Sequence, residues 1–241
     1  MTAITIINLS KKYEELIAVD NLNLNVEEGE LFALLGLNGA GKTTTIKMLS
    51  CIIKPTSGDA VLLGDSINTN PQSIKQKINI SPQEAAFAPN LSVCENLELI
   101  AAIYGQNLKT ARQNATNIAK RFCLDGFINK QAKTLSGGMQ RRLSIAMALI
   151  SKPKILFLDE PTLGLDVLAR RQLWTEIKSL KGKVTIVLTT HYMEEAEALA
   201  DRIGVMNNGK LLAVGTVIEL TEKTNTNKLE DAFITLVGGV A

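Results

Sequence analysis

"LFALLGLNGAGKTTTIKML" (residues 31–49) sets an unbroken apolar run against a glycine-rich loop, a lysine and three threonines. Leu31–Leu35 shows no alternation of apolar and polar side chains, which suits a strand covered on both faces, as in a parallel sheet. From Gly36 to Thr43 the spacing is G-x-x-x-x-G-K-[ST], standing between a strand and a helix, the context that gives this pattern its meaning. In such a loop the backbone of Gly36, Asn38, Gly39, Ala40 and Gly41 curls so that successive N–H groups face phosphate oxygens. The helix that follows adds roughly half a positive charge at its N-terminus. Lys42 supplies a full charge for the β- and γ-phosphates, Thr43 offers Mg²⁺ a hard oxygen, and Thr44 reaches the phosphates from the next position. The plainer reading is a glycine turn ahead of a helix. Every fixed position of the pattern matches, which argues against it.

Outward from that loop, 241 residues suffice for one large domain or two modest ones with a buried core. Hydrophobic residues make up 46% and charged residues 21%, and the net charge of +2 shows no Lys/Arg stripe, so no nucleic acid is expected. The three cysteines, Cys51, Cys94 and Cys123, have no metal-ligand spacing and read as reduced thiols. The N-terminus has no signal-peptide pattern, and no apolar run approaches the roughly 20 residues that cross a bilayer. The chain is therefore expected to be soluble by itself, with work at a membrane left open.

"AITIINLSKKY" and "IAVDNLNLNVEEGE" alternate like half-buried antiparallel strands, and "GKTTTIKMLSCII" reads as a helix. After the turn "PTSG", "DAVLLGDSI" reads as a strand pair. Between about 88 and 150 the periodicity becomes helical, which predicts an inserted helical subdomain. Strand then alternates with helix through "KILFLDEP", "ARRQLWTEIKSL", "KVTIVLTTH" and "EEAEALADRI". The fold class expected is α/β: a mostly parallel P-loop NTPase sheet flanked by helices, with an N-terminal antiparallel β subdomain. Residues 1–220 form the ATPase domain in this reading, and 221–241 a polar connector, "TEKTNTNK", followed by a final helix.

A P-loop needs a metal-positioning acid at the same sheet edge. "ILFLDE" ends a buried-type strand on Asp159 and Glu160, adjacent acids that are costly to hold together unless a cation or a reacting water uses them. Asp159 suits Mg²⁺ and Glu160 suits the attacking water. Alone, the pair could equally cap a helix. His191, the single histidine, ends another apolar strand, where an imidazole can hydrogen-bond a γ-phosphate. Gln83 follows a short strand and could give its carbonyl to Mg²⁺, a weak signal by spacing alone.

"LSGGM" (residues 135–139) is a second anion-holding stretch about a hundred residues on. Met139, Leu143, Ala146 and Ile150 share one face of the helix it opens, which is expected to anchor that helix by packing. In order along the chain, Tyr13, Gly36–Thr43, Gln83, Leu135–Met139, the strand ending at Asp159-Glu160, "LGLD" ending at Asp166, and His191 resemble the nucleotide-binding subunits of ABC transporters. The resemblance runs from Tyr13 to about residue 237. It departs at Met139 and Leu163, where members often carry glutamine and serine.

The resemblance implies that Tyr13 stacks on adenine, and that ATP with Mg²⁺ is bound and hydrolysed. It implies head-to-tail dimers, homomeric or with a similar subunit, in which Ser136, Gly137, Gly138 and Asp166 complete the partner's ATP site. "PNLSVCENLELIAAIYG", "TTHYMEEAEALADRI" and "LEDAFITL" further resemble the subgroup paired with ABC-2-type export permeases. Membership there implies a peripheral subunit at the cytoplasmic face of the cell membrane, bound to separate transmembrane chains near residues 83–105. Leu229, Phe233 and Leu236 of the tail are expected to pack on the domain body. A soluble ABC ATPase of cluster assembly or macromolecular remodelling is a compatible alternative on size. A nucleotide-binding module without turnover fits less well, because Glu160 and His191 are both present.

Overall fold

The computed structural model describes residues 1–84 and 86–238. The alternating N-terminal stretches form β1 (Thr2–Tyr13) and β2 (Leu16–Glu27), an antiparallel pair. The apolar run becomes β3 (Leu31–Gly36), buried at every position. β4 (Ser57–Leu62) and β5 (Asp65–Ser66) complete a four-stranded antiparallel sheet in the order β2–β1–β4–β5.

The main sheet adds β6 (Ile78–Ser81), β7 (Ile155–Asp159), β8 (Thr185–Thr190), β9 (Arg202–Asn207) and β10 (Lys210–Gly215) to β3. Its order is β10–β9–β3–β8–β7–β6, parallel except for the edge hairpin of β9 with β10. β8 thus runs between β3 and β7, with Leu35 paired to Thr190 and Asp159 paired to Thr189. The carboxyl ends of three strands remote in sequence meet in one row. Parallel sheets bind ligands at that edge.

One buried cluster joins one face of this sheet to the helical insertion: α3 (Val93–Ile103), α4 (Leu108–Arg121) and α5 (Gly137–Ile150). Ser92 and Glu95 cap α3 reciprocally, and Ala111, Ala115 and Ala119 give α4 a narrow buried stripe. The other face packs with the antiparallel sheet and α1 (Lys42–Leu49) around Phe32, Ile46, Phe157 and Met206.

Several elements depart from the expectations. The first helix stops at Leu49 rather than Ile53, because Ser50 turns its hydroxyl back to the Ile46 carbonyl (2.8 Å) and Cys51 takes a left-handed φ of 56°. A helix not anticipated, α2 (Pro71–Lys77), starts on a proline at its first position. α5 is not anchored by one face: all of Leu143–Ile150 is buried, because the helix lies between the insertion and the sheet. α6 (Val167–Lys178) and α7 (Met193–Leu199) follow β7 and β8. Half of the polar connector is helix: α8 (Val217–Thr224) runs through residue 220, is capped by Thr216 with Glu219, and ends on left-handed Asn225. α9 (Leu229–Gly238) buries Leu229 and Phe233 against the body, with Leu236 half-buried beside them.

Candidate active site

The loop after β3 has backbone neighbours on two sides, and two glycines are required by space. A Cβ on Gly36 would sit 2.5 Å from the Met206 carbonyl oxygen of β9. Gly41 has φ +100°, and a Cβ there would lie 2.4 Å from the Ala18 carbonyl oxygen of β2. The loop is therefore wedged between the two sheets. It presents Asn38, Gly39, Ala40, Gly41, Lys42, Thr43 and Thr44 to a cleft of about 750 Å³.

Lys42 is 5% exposed and curls back, its Nζ donating to the carbonyls of Gly36 (2.8 Å) and Leu37 (3.1 Å). The same Nζ lies 3.2 Å from Oε1 of Glu160. The other carboxylate oxygen of Glu160 accepts from Nδ1 of His191 at 2.8 Å. Glu160 is thus held between a buried cation and an imidazole, and its backbone is strained. Its φ is +49°, and its N–H donates to the Thr189 hydroxyl (3.0 Å) and carbonyl (3.2 Å). A non-glycine residue in the left-handed region costs on the order of 1 kcal/mol and persists only where surroundings impose it.

Asp159 is buried, and its Oδ1 accepts from the hydroxyls of Thr43 (3.0 Å) and Thr189 (2.5 Å). Two hard oxygens at hydrogen-bond distance, Thr43 Oγ1 and Asp159 Oδ1, fit a Mg²⁺ ion that keeps waters and substrate oxygens as its other ligands. Among the described residues no group of three or more His, Cys, Asp or Glu could hold a metal, so the nucleotide itself would have to complete the shell. At the mouth, Tyr13 is 44% exposed, with Lys11 Nζ 5.0 Å from its ring centre. Exposed Gln83 lines the cleft opposite.

The remaining candidates lie elsewhere. Ser136, Gly137, Gly138 and Asp166 line a separate hollow of about 500 Å³, which shares no residue with the first. Ser136 caps α5 by accepting from the Met139 N–H (3.4 Å). Asp166 caps α6, accepting from Leu168 and Ala169 (both 2.9 Å). The chain passes from one hollow to the other at Leu163–Gly164.

Three residues of the site escaped the sequence reading. Thr189 orients both Asp159 and Glu160, yet reads only as the end of an apolar strand. Glu195, on α7, is buried with Trp174 Nε1 donating to its Oε1 at 3.2 Å, and burial holds its carboxyl above the usual range. Arg141 is buried beneath the site, and burial pulls its guanidinium down to about 10 against the attraction of Asp159, Glu195 and Glu160. A basic residue two places after "GGM" was the available signal, and Arg142 beside it looks the same in sequence.

A phosphate loop at the carboxyl edge of a parallel sheet, with an acid for a cation and a second acid against a histidine, defines a P-loop ATPase. Residues 19–163 match the ABC transporter family, and the chain belongs to it. It is the family's ATP-binding and ATP-hydrolysing component, the subunit that drives transport. Over 228 residues it is 40% identical to the daunorubicin/doxorubicin resistance ATP-binding protein DrrA of Streptomyces peucetius, spanning 94% of this chain and 69% of that one. The Nod factor export ATP-binding protein I of Cupriavidus metallidurans is 41% identical over 217 residues, 89% of this chain and 71% of its own. Among solved structures, a dimeric post-hydrolysis state of the ATP-binding cassette MJ0796 with ADP and Pi superposes with a TM-score of 0.82 at 29% identity, covering 88% of this chain and 98% of that one.

Proposed function

We propose that this chain powers export through a separate membrane permease, as a peripheral subunit at the cytoplasmic face, by closing on ATP as a dimer with a second copy or a similar subunit. The observation that carries this reading is the division of phosphate-binding residues between two hollows with no residue in common. One hollow holds the P-loop, Glu160 and His191, with Asp159 buried against Thr43. The other holds a serine, two glycines and a helix N-terminus, and its acid, Asp166, is engaged in capping α6. Head-to-tail pairing brings each hollow against the complementary one and makes two composite sites. Export rather than import is supported by the likeness to the drug-resistance and Nod-factor proteins. Among the described residues no helix is long and apolar enough to cross a membrane, in keeping with a separate permease.

In this reading Tyr13 stacks on adenine and the loop N–H groups with Lys42 and Thr44 hold the phosphates. Thr43, Asp159 and Gln83 would hold Mg²⁺, which would supply neutralising charge to the phosphates. A γ-phosphate draws Lys42 away from Glu160, and the released carboxylate accepts a proton from the attacking water. His191 keeps that carboxylate aimed and donates to the phosphate as charge develops. Ser136, Gly137 and Gly138 of the second copy close the site, with Asp166 holding its loop. The permease docks where Pro82, Ile100, Tyr104 and Met147 border a cleft of about 200 Å³ beside Gln83.

Replacing Glu160 with Gln removes the base while leaving the phosphate contacts, and so traps the ATP dimer. A tagged Glu160→Gln protein purified from native membranes with ATP and Mg²⁺ is expected to bring down a multi-spanning chain in fixed ratio. A soluble dimer alone, or soluble partners only, would move the chain to the cluster-assembly and remodelling class.

A further inference from the structure

Arg141 has more bonds to the site's backbone than any residue given a role above, and no chemistry has been assigned to it. It lies one turn into α5, five residues after Ser136, and is 5% exposed. Its Nε donates to the Pro161 carbonyl (2.9 Å) and its Nη2 to the Asp159 carbonyl (2.6 Å). Its Nη1 donates to the carbonyls of Pro82 and, at 3.3 Å, of Gln83. Among the described residues no carboxylate comes within ion-pair distance of it; its charge is spent on four carbonyls.

Those four carbonyls are not scattered. Two belong to the residues on either side of Glu160, the residue held at φ +49°, and therefore fix the chain just before and just after the strained acid. The other two belong to the loop that presents Gln83 to the nucleotide cleft. Arg141 itself is fixed in the helix whose first residues form the second hollow. One planar guanidinium thus ties three elements: the acid of one hollow, the Gln83 loop beside it, and the helix that carries the other hollow. A lysine would bring the same charge on a single point and could not span all three directions.

We infer that Arg141 is the positioning residue that couples the two hollows of one subunit. Occupancy of the P-loop cleft, felt at Gln83 and Glu160, sets through Arg141 how Ser136, Gly137 and Gly138 are offered to the partner. This rests on the dimer reading above. It predicts that disturbing Arg141 leaves ATP binding to the isolated cleft intact while harming closure and turnover together. A residue that merely filled the core would change stability without that division.

The test compares Arg141→Lys with the parent in the full chain, on three readouts. For Arg141→Lys the ATP dissociation constant is expected to stay within about threefold, since Lys42 and the loop amides are untouched. Its kcat should fall at least tenfold, and in the Glu160→Gln background the ATP concentration that gives half dimerisation should rise at least tenfold. Wild-type kcat and an unchanged dimerisation midpoint for Arg141→Lys overturn the inference. If Glu160→Gln with Arg141 intact fails to dimerise on ATP, the dimer reading fails instead, so the two failures are distinct. Because Arg141→Lys could fold poorly, hydrogen exchange provides a second route in a Ser136→Arg protein, where partner contact is blocked. Adding ATP and Mg²⁺ should slow exchange at residues 83–84 and at 139–143 together. A change at 83–84 with none at 139–143 overturns the inference without any substitution at Arg141.

Discussion

The cleft at the P-loop and the hollow at Ser136 both look made for phosphate, yet they are built in opposite ways. In the first, Lys42, Asp159 and Glu160 are nearly fully buried and satisfied by one another, by His191 and by Thr189. The second has no such network: Ser136 and Asp166 cap their own helices, and Arg142 and Gln172 stand at the rim. A site that must choose a reaction needs groups already held in place, because reorganisation is avoided only where dipoles and charges are fixed beforehand. A site that must accept and release a partner needs the reverse, a surface with little to undo.

That contrast can be broken by experiment. The largest effect is expected at Glu160: Glu160→Gln should lower kcat by roughly 10²–10⁴-fold, the range for a positioned base, while ATP binding persists. A measured kcat within threefold of the parent would remove Glu160 from the base role. Next, Ser136→Arg should lower kcat by about a hundredfold with ATP affinity unchanged, because it obstructs only the partner's site. Mixing the Glu160→Gln and Ser136→Arg proteins sharpens the point. Each mixed dimer keeps one intact composite site, so roughly a quarter of parental turnover should return if the two sites act independently. No recovery on mixing would mean that the hollows do not meet across chains, or that one site cannot turn over alone.

Smaller effects report on the scaffold. Gly36→Ala places a methyl 2.5 Å from the Met206 carbonyl and should destabilise by about 1–3 kcal/mol, read as a lower Tm. A Cβ on Gly137 would meet nothing within 4 Å, so Gly137→Ala should leave the Tm almost unchanged while turnover falls. The smallest effect concerns Glu195. Burial raises its carboxyl above the unfolded value, while the nearby Thr190 and Thr162 hydroxyls and Trp174 pull the other way. The stability it contributes is therefore complete below the usual carboxylate range and is lost as pH rises through the raised folded value. Glu195→Gln keeps an acceptor for Trp174 and removes the ionisation. Its Tm relative to the parent should be higher at pH 8 than at pH 5, by roughly 2–4 °C. Parallel Tm curves for the two proteins would show that burial does not raise the Glu195 carboxyl.

What was readable in the sequence follows how local each signal is. The P-loop lies within eight consecutive residues, and its glycines, lysine and threonine identify it without any knowledge of neighbours. The helical insertion was readable from its period, and the buried strands from their unbroken apolar runs. Strand order was not. That β8 runs between β3 and β7, and so brings His191 beside Glu160, is a property of pairing that no residue announces. Thr189 and Arg141 were missed for the same reason: both act through backbone groups of remote segments, and carbonyl acceptors leave no trace in residue type. The all-round burial of Leu143–Ile150 was hidden too, since Ser144 and the alanines among them gave the impression of a polar or neutral side. Boundary errors at Ile53 and in the 221–228 stretch came from terminators, left-handed Cys51 and Asn225, where cysteine in particular gives no warning.

The left-handed backbone at Glu160 has a consequence for how such a protein can drift. At φ +49° glycine and asparagine are the comfortable residues, and glutamate is kept there by its buried partners against local preference. In a duplicated copy released from the duty of hydrolysis, glycine or asparagine here would relieve the backbone by on the order of 1 kcal/mol. Against that relief stands buried Lys42, which would lose its carboxylate partner. The proposed base is thus held by its neighbours and opposed by its own backbone.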